Sequence, residues 1–307
     1  MTNLPIDIQT IAAGRFDPAA AVITQLRHEE DDEPYSVWRI EAGSQSFILK
    51  EAKEYESEVY RTFLSDASGQ VPAIYGAETV NGKTYLLMKY IEGRDLCRCD
   101  RRSLQQALDA LIALQRTYWG ETEKADAGFS FEKSRAGRKK RGTFLKDTEL
   151  EEAYEGYLAL YEQVPRTLCH DDLLPFNVRI DERSDRGVLI DWEYGGILPY
   201  PTSLARLLAF GEEKEDAFFY MKDEDKAFAS EYYYENLLKD KGIAKEEWQR
   251  TLAYFLLYEY CEWVAVGHQY EEPDNEYFIK YLPVAKAHAK RLLHISREME
   301  ASARWQR

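Results

Sequence analysis

The chain has 307 residues, of which 45% are hydrophobic and 13% aromatic, and its formal net charge is −15. This length favours two lobes or domains rather than one core, and the apolar content excludes global disorder. The negative charge argues against sequence-independent binding to nucleic acid or to anionic membranes. It allows a cationic substrate, although an acidic surface more commonly serves solubility.

The cysteines and the lack of long apolar runs indicate the compartment. The four cysteines are not spaced as metal ligands, so we expect reduced thiols and a cytoplasmic location. The N-terminal stretch MTNLPIDIQTIAAGRF has neither a basic region nor a long apolar run, which predicts no signal peptide. No segment approaches the roughly 18 apolar residues of a membrane span. The cysteines are Cys97, Cys99, Cys169 and Cys261.

The first 90 residues are predicted to form a small antiparallel sheet with one inserted helix. Asp17 followed by Pro18 predicts a short helix that ends at Arg27. Alternating apolar residues further on predict strands, and Asn81-Gly82 is a strong signal for a hairpin turn. The predicted strands are Tyr35–Ile40, Ser46–Lys50, Val71–Tyr75, Ala77–Val80 and Thr84–Tyr90, and the inserted helix is Glu54–Leu64.

After a predicted linker at Ile91–Arg94, the chain becomes helical. Ser103 is the expected N-cap of a helix that ends at Tyr118. Residues 120–147 are polar, and we interpret their basic cluster as a mobile surface loop, with a phosphate or nucleic-acid site as the weaker alternative. That cluster is Lys133, Arg135, Arg138, Lys139, Lys140 and Arg141. Further predicted helices are Thr148–Gln163, Pro201–Ala209, Asp223–Lys239, Lys245–Gly267 and Asn275–Arg297.

One stretch of the helical part carries chemistry. His170, Asp172 and Asn177 are spaced as His-x-Asp-x4-Asn, and a short apolar run then ends on Asp191. Phosphoryl transfer from a nucleotide needs a carboxylate that takes the acceptor hydroxyl's proton, and an amide oxygen and a second carboxylate that hold magnesium. The alternative interpretation is a polar surface loop that follows a buried strand.

These motifs resemble a known family. HDDLLPFNV and LIDWEYGG are similar to segments of the aminoglycoside phosphotransferase and choline kinase family, which has the protein-kinase-like fold. YLLMKYIEGRDL resembles the segment that joins the two lobes in that family, and SFILKEA resembles its third strand. The resemblance implies phosphorylation of a small-molecule hydroxyl with ATP or GTP and Mg²⁺.

The resemblance also implies a role for individual residues. Asp172 matches the catalytic base, and His170 matches the histidine that supports the catalytic loop. Lys50 matches the lysine that neutralises the phosphates; read alone, it is a surface lysine at a strand end. Its acidic partner is expected on the next helix, where helical spacing favours Glu56 over Glu54 and Glu58. Asn177 and Asp191 match the magnesium ligands, and Met88 and Tyr90 belong to the hinge that lines the base pocket.

Three features depart from the family pattern. Asp171 precedes the expected base, where it either raises the pKa of one carboxyl group or helps to bind a cation. The phosphate-covering loop, residues 28–36, has no glycine and five acidic residues. Either the loop swings away and Ser36 alone contacts the phosphates, or nucleotide binding is weak, or the acidic charge serves a cationic acceptor. Ser203 stands where the family commonly has Asp, and we expect it to cap a helix.

The acceptor is expected between the catalytic loop and the C-terminal helices. Glu259, Glu262 and Trp263 fall at helical spacing of three and four, and with the neighbouring Tyr258 such a set could hold an ammonium group through ion pairs and cation–π contacts. An ordinary amphipathic helix explains the same pattern. Glu193 is either a support for a second metal or a solvated turn residue.

The sequence therefore predicts an α+β protein with a two-lobed protein-kinase-like fold: a β-rich nucleotide-binding lobe (residues 1–91) and a mostly helical lobe (residues 92–307) with the catalytic loop and acceptor site. The predicted function is transfer of the terminal phosphate of ATP or GTP to a hydroxyl of a small, cationic or amino-bearing molecule. The alternative is a regulatory pseudokinase, motivated by the glycine-free loop. A protein kinase is disfavoured because no Ala-Pro-Glu follows Asp191. The oligomeric state is open.

Overall fold

The computed structural model describes Leu4, Ile6 and residues 8–12, 14–27, 32–53 and 55–305. The strands are β1 (Val22–Arg27), β2 (Pro34–Ala42), β3 (Gln45–Ala52), β4 (Ile74–Val80), β5 (Lys83–Lys89), β6 (Gly93–Asp95), β7 (Arg166–Cys169), β8 (Val178–Asp181), β9 (Arg186–Leu189) and β10 (Gly196–Pro199). The helices are α1 (Ile8–Ala12), α2 (Glu56–Val59), α3 (Arg101–Thr117), α4 (Phe131–Gly142), α5 (Thr148–Gln163), α6 (Thr202–Ala209), α7 (Asp223–Tyr233), α8 (Lys245–Gln269) and α9 (Glu276–Trp305).

Strands β1 to β5 form one antiparallel sheet in the order β1-β2-β3-β5-β4. Lys50 lies on its central strand, opposite Val37 on one side and Leu86 on the other. Asn81 and Gly82 turn the β4–β5 hairpin with φ angles of 53° and 79°, the left-handed backbone that a two-residue turn of this kind requires. Both predicted hairpins, β2–β3 and β4–β5, are therefore confirmed.

The predicted helix from Asp17 to Arg27 is wrong. A single 3-10 turn, Pro18–Ala20, follows Asp17, whose side chain accepts from the Ala19 amide at 3.0 Å. From Val22 the chain is a strand that pairs with β2. The β-branched run that begins at Val22 favours extended backbone, and pairing with the free edge of β2 satisfies its backbone groups, which outweighs the cap signal. The separate strand predicted at Val71–Tyr75 is also absent, because β4 begins only at Ile74.

The predicted helix between β3 and β4 is present. It comprises α2 and a following π-helical turn, Tyr60–Leu64. Its buried face includes Val59 and Phe63 together with the carboxylate of Glu56. Glu54, the predicted first residue of this helix, lies outside the described residues.

Helix α3 begins two residues before the predicted N-cap. Asp100 is the N-cap, and its side chain accepts from the Ser103 amide while the Ser103 hydroxyl accepts from the Asp100 amide. This reciprocal pair is a capping box, so Ser103 is its third helical residue rather than its cap. Leu104, Leu108 and Leu111 are fully buried on one face, as the apolar spacing predicts.

The predicted surface loop in the basic region is instead helix α4. Its buried side chains are Phe131, Ser134 and Arg138, and Arg138 is only 2% exposed. Ser134 and Arg138 are four residues apart, so they share a helix face. An apolar-periodicity argument misses this helix because its buried face is mostly polar.

Two small sheets hold the loops of the helical part. β7 pairs with β10, and β8 lies between β6 and β9. The predicted linker at Ile91–Arg94 is partly a strand, because Gly93 and Arg94 pair with Asp181 and Ile180 of β8. The division of the lobes after Ile91 stays a prediction. None of the described helices combines the length and apolarity needed to cross a bilayer.

We predict that Gly93→Ala lowers the free energy of unfolding by about 3 kcal/mol, because a Cβ there would overlap the carbonyl oxygen of Ile180 and its φ of +145° strains a side chain. Gly82→Ala is the matched control, since its φ is also positive (+79°) but a Cβ would meet open space. It should cost about 1 kcal/mol. Urea denaturation of both variants measures the difference, and equal losses would contradict the steric account.

Candidate active site

The loop between β7 and β8 is fixed by its first residue, His170. The His170 ring is buried beside Trp192, and its Nε2 donates to the carbonyl of Ile190 at 2.7 Å. The His170 amide donates to the hydroxyl of Ser203 at 2.8 Å. Ser203 is therefore not a helix cap as predicted; it joins α6 to the loop. These bonds hold the segment that carries Asp171 and Asp172 against the core.

Asn177 closes the loop at its other end. Its side-chain amide donates to the Asp172 carbonyl at 2.8 Å, and its own carbonyl accepts from the Ile190 amide at 2.9 Å. The second bond brings Asn177 beside the residue that precedes Asp191. Since Nδ2 is used inside the loop, Oδ1 is the amide atom that is free of this bond and able to bind a cation.

Lys50 connects the sheet to Asp191. Its Nζ lies 2.9 Å from the Glu56 carboxylate and 2.6 Å from Oδ1 of Asp191. The predicted pairing of Lys50 with Glu56 is thus present, whereas Glu58 accepts from the Gly128 amide instead. Asp191 has a φ of 64°, and its side chain is 43% exposed, so part of its carboxylate is accessible to a ligand.

The electrostatics of this triad follow from burial and pairing. Burial alone would lower the pKa of Lys50, but the carboxylates of Glu56 and Asp191 outweigh it and raise the pKa. Burial raises the pKa of Glu56 to about 7, against the opposing effect of Lys50. Burial alone would raise the pKa of Asp191, but the Lys50 ammonium outweighs this effect and lowers that pKa. At neutral pH Lys50 is therefore a cation and Asp191 an anion at the cleft.

A cavity of about 530 Å³ opens beside Lys50, a size typical of small-molecule and cofactor sites. Tyr90 lies on its wall, with the Arg39 guanidinium 4.5 Å from the ring centroid. Its walls are mostly apolar, which suits a nucleotide base, and the Lys50–Asp191 pair among the lining residues suits the phosphates of that nucleotide. The lining residues include Val37, Ile48, Met88, Tyr90, Ile91, Ile190, Lys50, Glu56 and Asp191.

The predicted phosphate-covering loop is only partly described. Residues 28–31 lie outside the described residues. Ser36 is an exposed residue of β2, not a loop residue, and it does not line the cavity. Val37 and Arg39 do line it, and alternation along a strand directs Ser36 to the opposite face of the sheet. The structure thus does not bring Ser36 to the phosphate end.

Asp172 is held by an arginine that the sequence did not indicate. Its Oδ1 accepts from Nε of Arg206 at 3.1 Å and from Nη2 at 3.0 Å. The Asp172 side chain is 34% exposed. Burial raises the pKa of Asp172, and the Arg206 guanidinium is the largest opposing influence.

Arg206, on α6, also binds the two carboxylates that were predicted to meet the acceptor. Its Nη1 lies 2.8 Å from Glu259 and 2.7 Å from Glu262. Burial raises the pKa of Glu259 to about 7, and Arg206 opposes this rise. Burial alone would also raise the pKa of Glu262, but Arg206 and Arg141 outweigh this effect and lower that pKa.

Asp171 has its own partner, Arg138 of α4. The guanidinium meets the carboxylate with two nitrogens, Nη2 to Oδ1 at 2.5 Å and Nη1 to Oδ2 at 3.1 Å. Arg138 also donates through Nε to the hydroxyl of Tyr157 at 2.7 Å and lies over the ring of Tyr258 at 4.5 Å. Asp171 is thus one half of a buried ion pair.

A second cavity, about 480 Å³, lies between α4, α6, α8 and the catalytic loop; we call it the acceptor cavity. Asp171, Asp172, Glu259 and Glu262 all line it. Two other predicted residues do not. Trp263 stacks on Tyr277 with ring centroids 4.4 Å apart, and Glu193 lies 3.9 Å from Lys53. The residues that line the acceptor cavity are Phe129, Ser134, Gly137, Arg138, Lys140, Arg141, Phe144, Asp171, Asp172, Tyr194, Arg206, Tyr258, Glu259, Glu262 and Gln269.

The donor set suits Mg²⁺ bound together with a nucleotide. Among the described residues, no three His, Cys, Asp or Glu side chains converge on one point as a metal site of their own. Magnesium that binds together with a nucleotide usually takes one or two protein ligands and completes its shell with phosphates and water. Oδ1 of Asn177 and the exposed part of the Asp191 carboxylate supply such a partial set.

Sequence reasoning missed that three arginines of this region pair with carboxylates: Arg138, Arg141 and Arg206. Arg206 is the single charge in the otherwise apolar helix TSLARLLA, and a lone charge in a buried helix indicates a paired role. No comparable signal marks Arg138 or Arg141, because both lie in a run of basic residues that also includes solvated lysines.

A comparison with protein families matches the chain to one of them. The sequence profile of the phosphotransferase enzyme family matches residues 24–235, which is more than half of the 307 residues. A search of curated proteins found no significant match.

Solved structures share the fold. An aminoglycoside phosphotransferase of Alicyclobacillus acidocaldarius superposes with a TM-score of 0.61 at 14% identity, covering 97% of this chain and 97% of that chain. The choline kinase LicA of Streptococcus pneumoniae gives 0.58 at 17% identity, over 88% and 93%. A thermostable aminoglycoside phosphotransferase APH(4)-Ia, in complex with AMP-PNP and hygromycin B, gives 0.54 at 16%, over 89% and 93%. The predicted fold is thus confirmed: the chain has the protein-kinase-like fold of these enzymes and belongs to the phosphotransferase enzyme family.

Proposed function

We propose that the protein transfers the terminal phosphate of ATP or GTP to a hydroxyl group of a small molecule. The observation that carries this proposal is the position of the catalytic loop between two cavities. Lys50 and Asp191 line one cavity, and Asp172 lines the other. Asn177 connects them, because it bonds both to Asp172 and to the backbone beside Asp191.

In this proposal each side chain of the site has one role, which follows from its contacts. Asp172 orients the acceptor hydroxyl and takes its proton, while Arg206 favours the charged form of the carboxylate. Lys50 exchanges its contact with Asp191 for the phosphates and keeps Glu56 as its anchor. Asn177 and Asp191 would hold Mg²⁺, and the ion would supply positive charge that stabilises the phosphates during transfer. Met88 and Tyr90 line the base pocket, and His170 fixes the loop.

The size of the acceptor cavity, about 480 Å³, supports a small-molecule acceptor. Two of the similar structures are named for small molecules: one is a complex with hygromycin B, and another is a choline kinase. The sequence predicted that Glu259 and Glu262 hold a cationic acceptor, but both already bind Arg206. The regulatory pseudokinase stays the alternative, and the cytoplasmic location stays a prediction.

Asp172→Asn should reduce turnover by at least about a thousandfold. The amide cannot take the proton, yet it keeps the shape of the carboxylate and one acceptor for Arg206. The measurement is magnesium-dependent ATP consumption with a panel of hydroxyl-bearing acceptors. Parent-like turnover by the variant would show that Asp172 is not the base, and no consumption by the parent with any acceptor would favour the pseudokinase.

Lys50→Met should weaken binding of Mg-ATP or Mg-GTP by about tenfold or more, because it removes a charge-assisted contact to phosphate. Lys53→Met is the matched control: Lys53 is 65% exposed and only 3.9 Å from its partner Glu193. The readout is the rise in melting temperature that the nucleotide causes, which tracks its binding to the folded state. An equal rise in parent and Lys50→Met would contradict the role of Lys50.

Arg206→Met should move the acid limb of the pH profile of kcat/KM to higher pH. Burial raises the pKa of Asp172 and Arg206 opposes that rise, so removing Arg206 raises it further. A general base must be deprotonated, and activity should therefore fall more at low pH than at high pH. Arg206→Lys should shift the limb less. An unchanged profile with a uniform loss of rate would indicate a purely structural role.

A further inference from the structure

The acceptor cavity is lined by equal numbers of acidic and basic side chains. The acidic ones are Asp171, Asp172, Glu259 and Glu262, and the basic ones are Arg138, Lys140, Arg141 and Arg206. The chain as a whole carries a net charge of −15. The walls of this cavity are therefore much less acidic than the rest of the protein.

Every carboxylate of the cavity is already paired with a guanidinium. Asp171 is held by two nitrogens of Arg138, at 2.5 and 3.1 Å. Asp172, Glu259 and Glu262 all bind Arg206. The second oxygen of Glu262 lies 2.6 Å from Arg141. An incoming ammonium group would compete with these arginines for the carboxylates, and separating a buried pair leaves an arginine uncompensated and costs several kcal/mol.

The ring of Tyr258, which was predicted to help hold an ammonium group, is already in contact with arginines. Arg138 lies over the ring of Tyr258 at 4.5 Å, and Arg141 lies at 5.9 Å from the same centroid. Arg141 further donates to the Tyr258 hydroxyl at 2.5 Å. The chain's own cations thus occupy the cation–π and hydrogen-bonding positions of Tyr258.

Two basic side chains that line the cavity, by contrast, keep hydrogen-bond donors for a ligand. Lys140 is exposed and lines the cavity, and no carboxylate of the described residues lies within ion-pair distance of its ammonium. Arg141 is 39% exposed and directs one nitrogen to Tyr258 and one to Glu262. A guanidinium has five N–H donors, so donors remain for a ligand. Both residues lie on α4, next to each other in the chain.

We infer that the acceptor carries an anionic group, a carboxylate or a phosphate, in addition to the hydroxyl that is phosphorylated. Lys140 and Arg141 bind that anionic group, and the hydroxyl reaches Asp172, which lines the same cavity. This rests on the proposed function and specifies its acceptor class. Such a ligand gains charge-assisted hydrogen bonds and leaves the buried ion pairs intact.

The test uses the full chain and two series of probe compounds that differ mainly in charge: ethanolamine, glycerol and glycerate, and glucosamine, glucose and glucuronate. The melting temperature is measured with each probe, with and without Mg-AMP-PNP, and phosphorylation is followed with Mg-ATP. We expect the anionic member of at least one series to give the largest stabilisation and the highest kcat/KM. A preference for the cationic members, or no difference between members, overturns the inference.

Variants of α4 separate a specific site from general attraction. Lys140→Gln should weaken binding of the preferred anion about tenfold, as expected for the loss of one charge-assisted hydrogen bond. Lys140→Glu should remove the preference or reverse it. Lys139→Gln is the matched control, because Lys139 pairs with Glu162 at 2.9 Å and does not line the cavity. Equal effects of Lys139→Gln and Lys140→Gln would contradict the assignment.

The inference and the proposed function fail separately. If Mg-ATP and Mg-GTP give no stabilisation and no turnover, the phosphotransferase activity is wrong. The anion preference is still decided by the melting temperatures without nucleotide. If nucleotide binds and only cationic probes are phosphorylated, the function stands and the anionic acceptor is wrong.

Discussion

The pairing of buried arginines with carboxylates shapes the region around the catalytic loop. Asp171 and Asp172 project from one short loop into a cavity that also receives Glu259 and Glu262 from α8. Four carboxylates so close together would repel one another and lose their hydration. Arg138 from α4 and Arg206 from α6 supply the compensating charge, and in doing so they tie both helices to the loop.

The same pairing explains why Asp171, the unusual neighbour of the expected base, is compatible with the family's chemistry. Both oxygens of Asp171 are engaged by Arg138, so its charge is neutralised before it acts on Asp172. Asp172 keeps a partly exposed side chain, with one oxygen on Arg206. The two adjacent carboxylates thus have different environments, which supports the choice of Asp172 as the base made from its spacing to Asn177.

Local patterns predicted the contacts around Lys50 better than the contacts around Asp172. The Lys50–Glu56 pair lies within one strand and the next helix, so helical spacing was enough to select Glu56 over Glu58. The hairpin turn at Asn81 and Gly82 was likewise a local signal. The carboxylate partners of Arg138 and Arg206 lie 33 to 56 residues away in the chain, and sequence periodicity does not reveal such contacts. Helix α4 was missed for a related reason, since its buried face is polar. Strand β1 was missed because its pairing with β2 overrides a local cap signal.

We propose that the cavity lined by Lys50 and Asp191 binds a magnesium nucleotide for phosphoryl transfer. A crystal structure of the chain with Mg²⁺ and AMP-PNP tests it most directly. The account predicts Mg²⁺ at about 2.1 Å from oxygens of Asn177 and Asp191. It also predicts that Lys50 leaves Asp191 for the phosphates while keeping its contact with Glu56. Phosphates bound away from Lys50, or a metal held by other residues, would contradict the account.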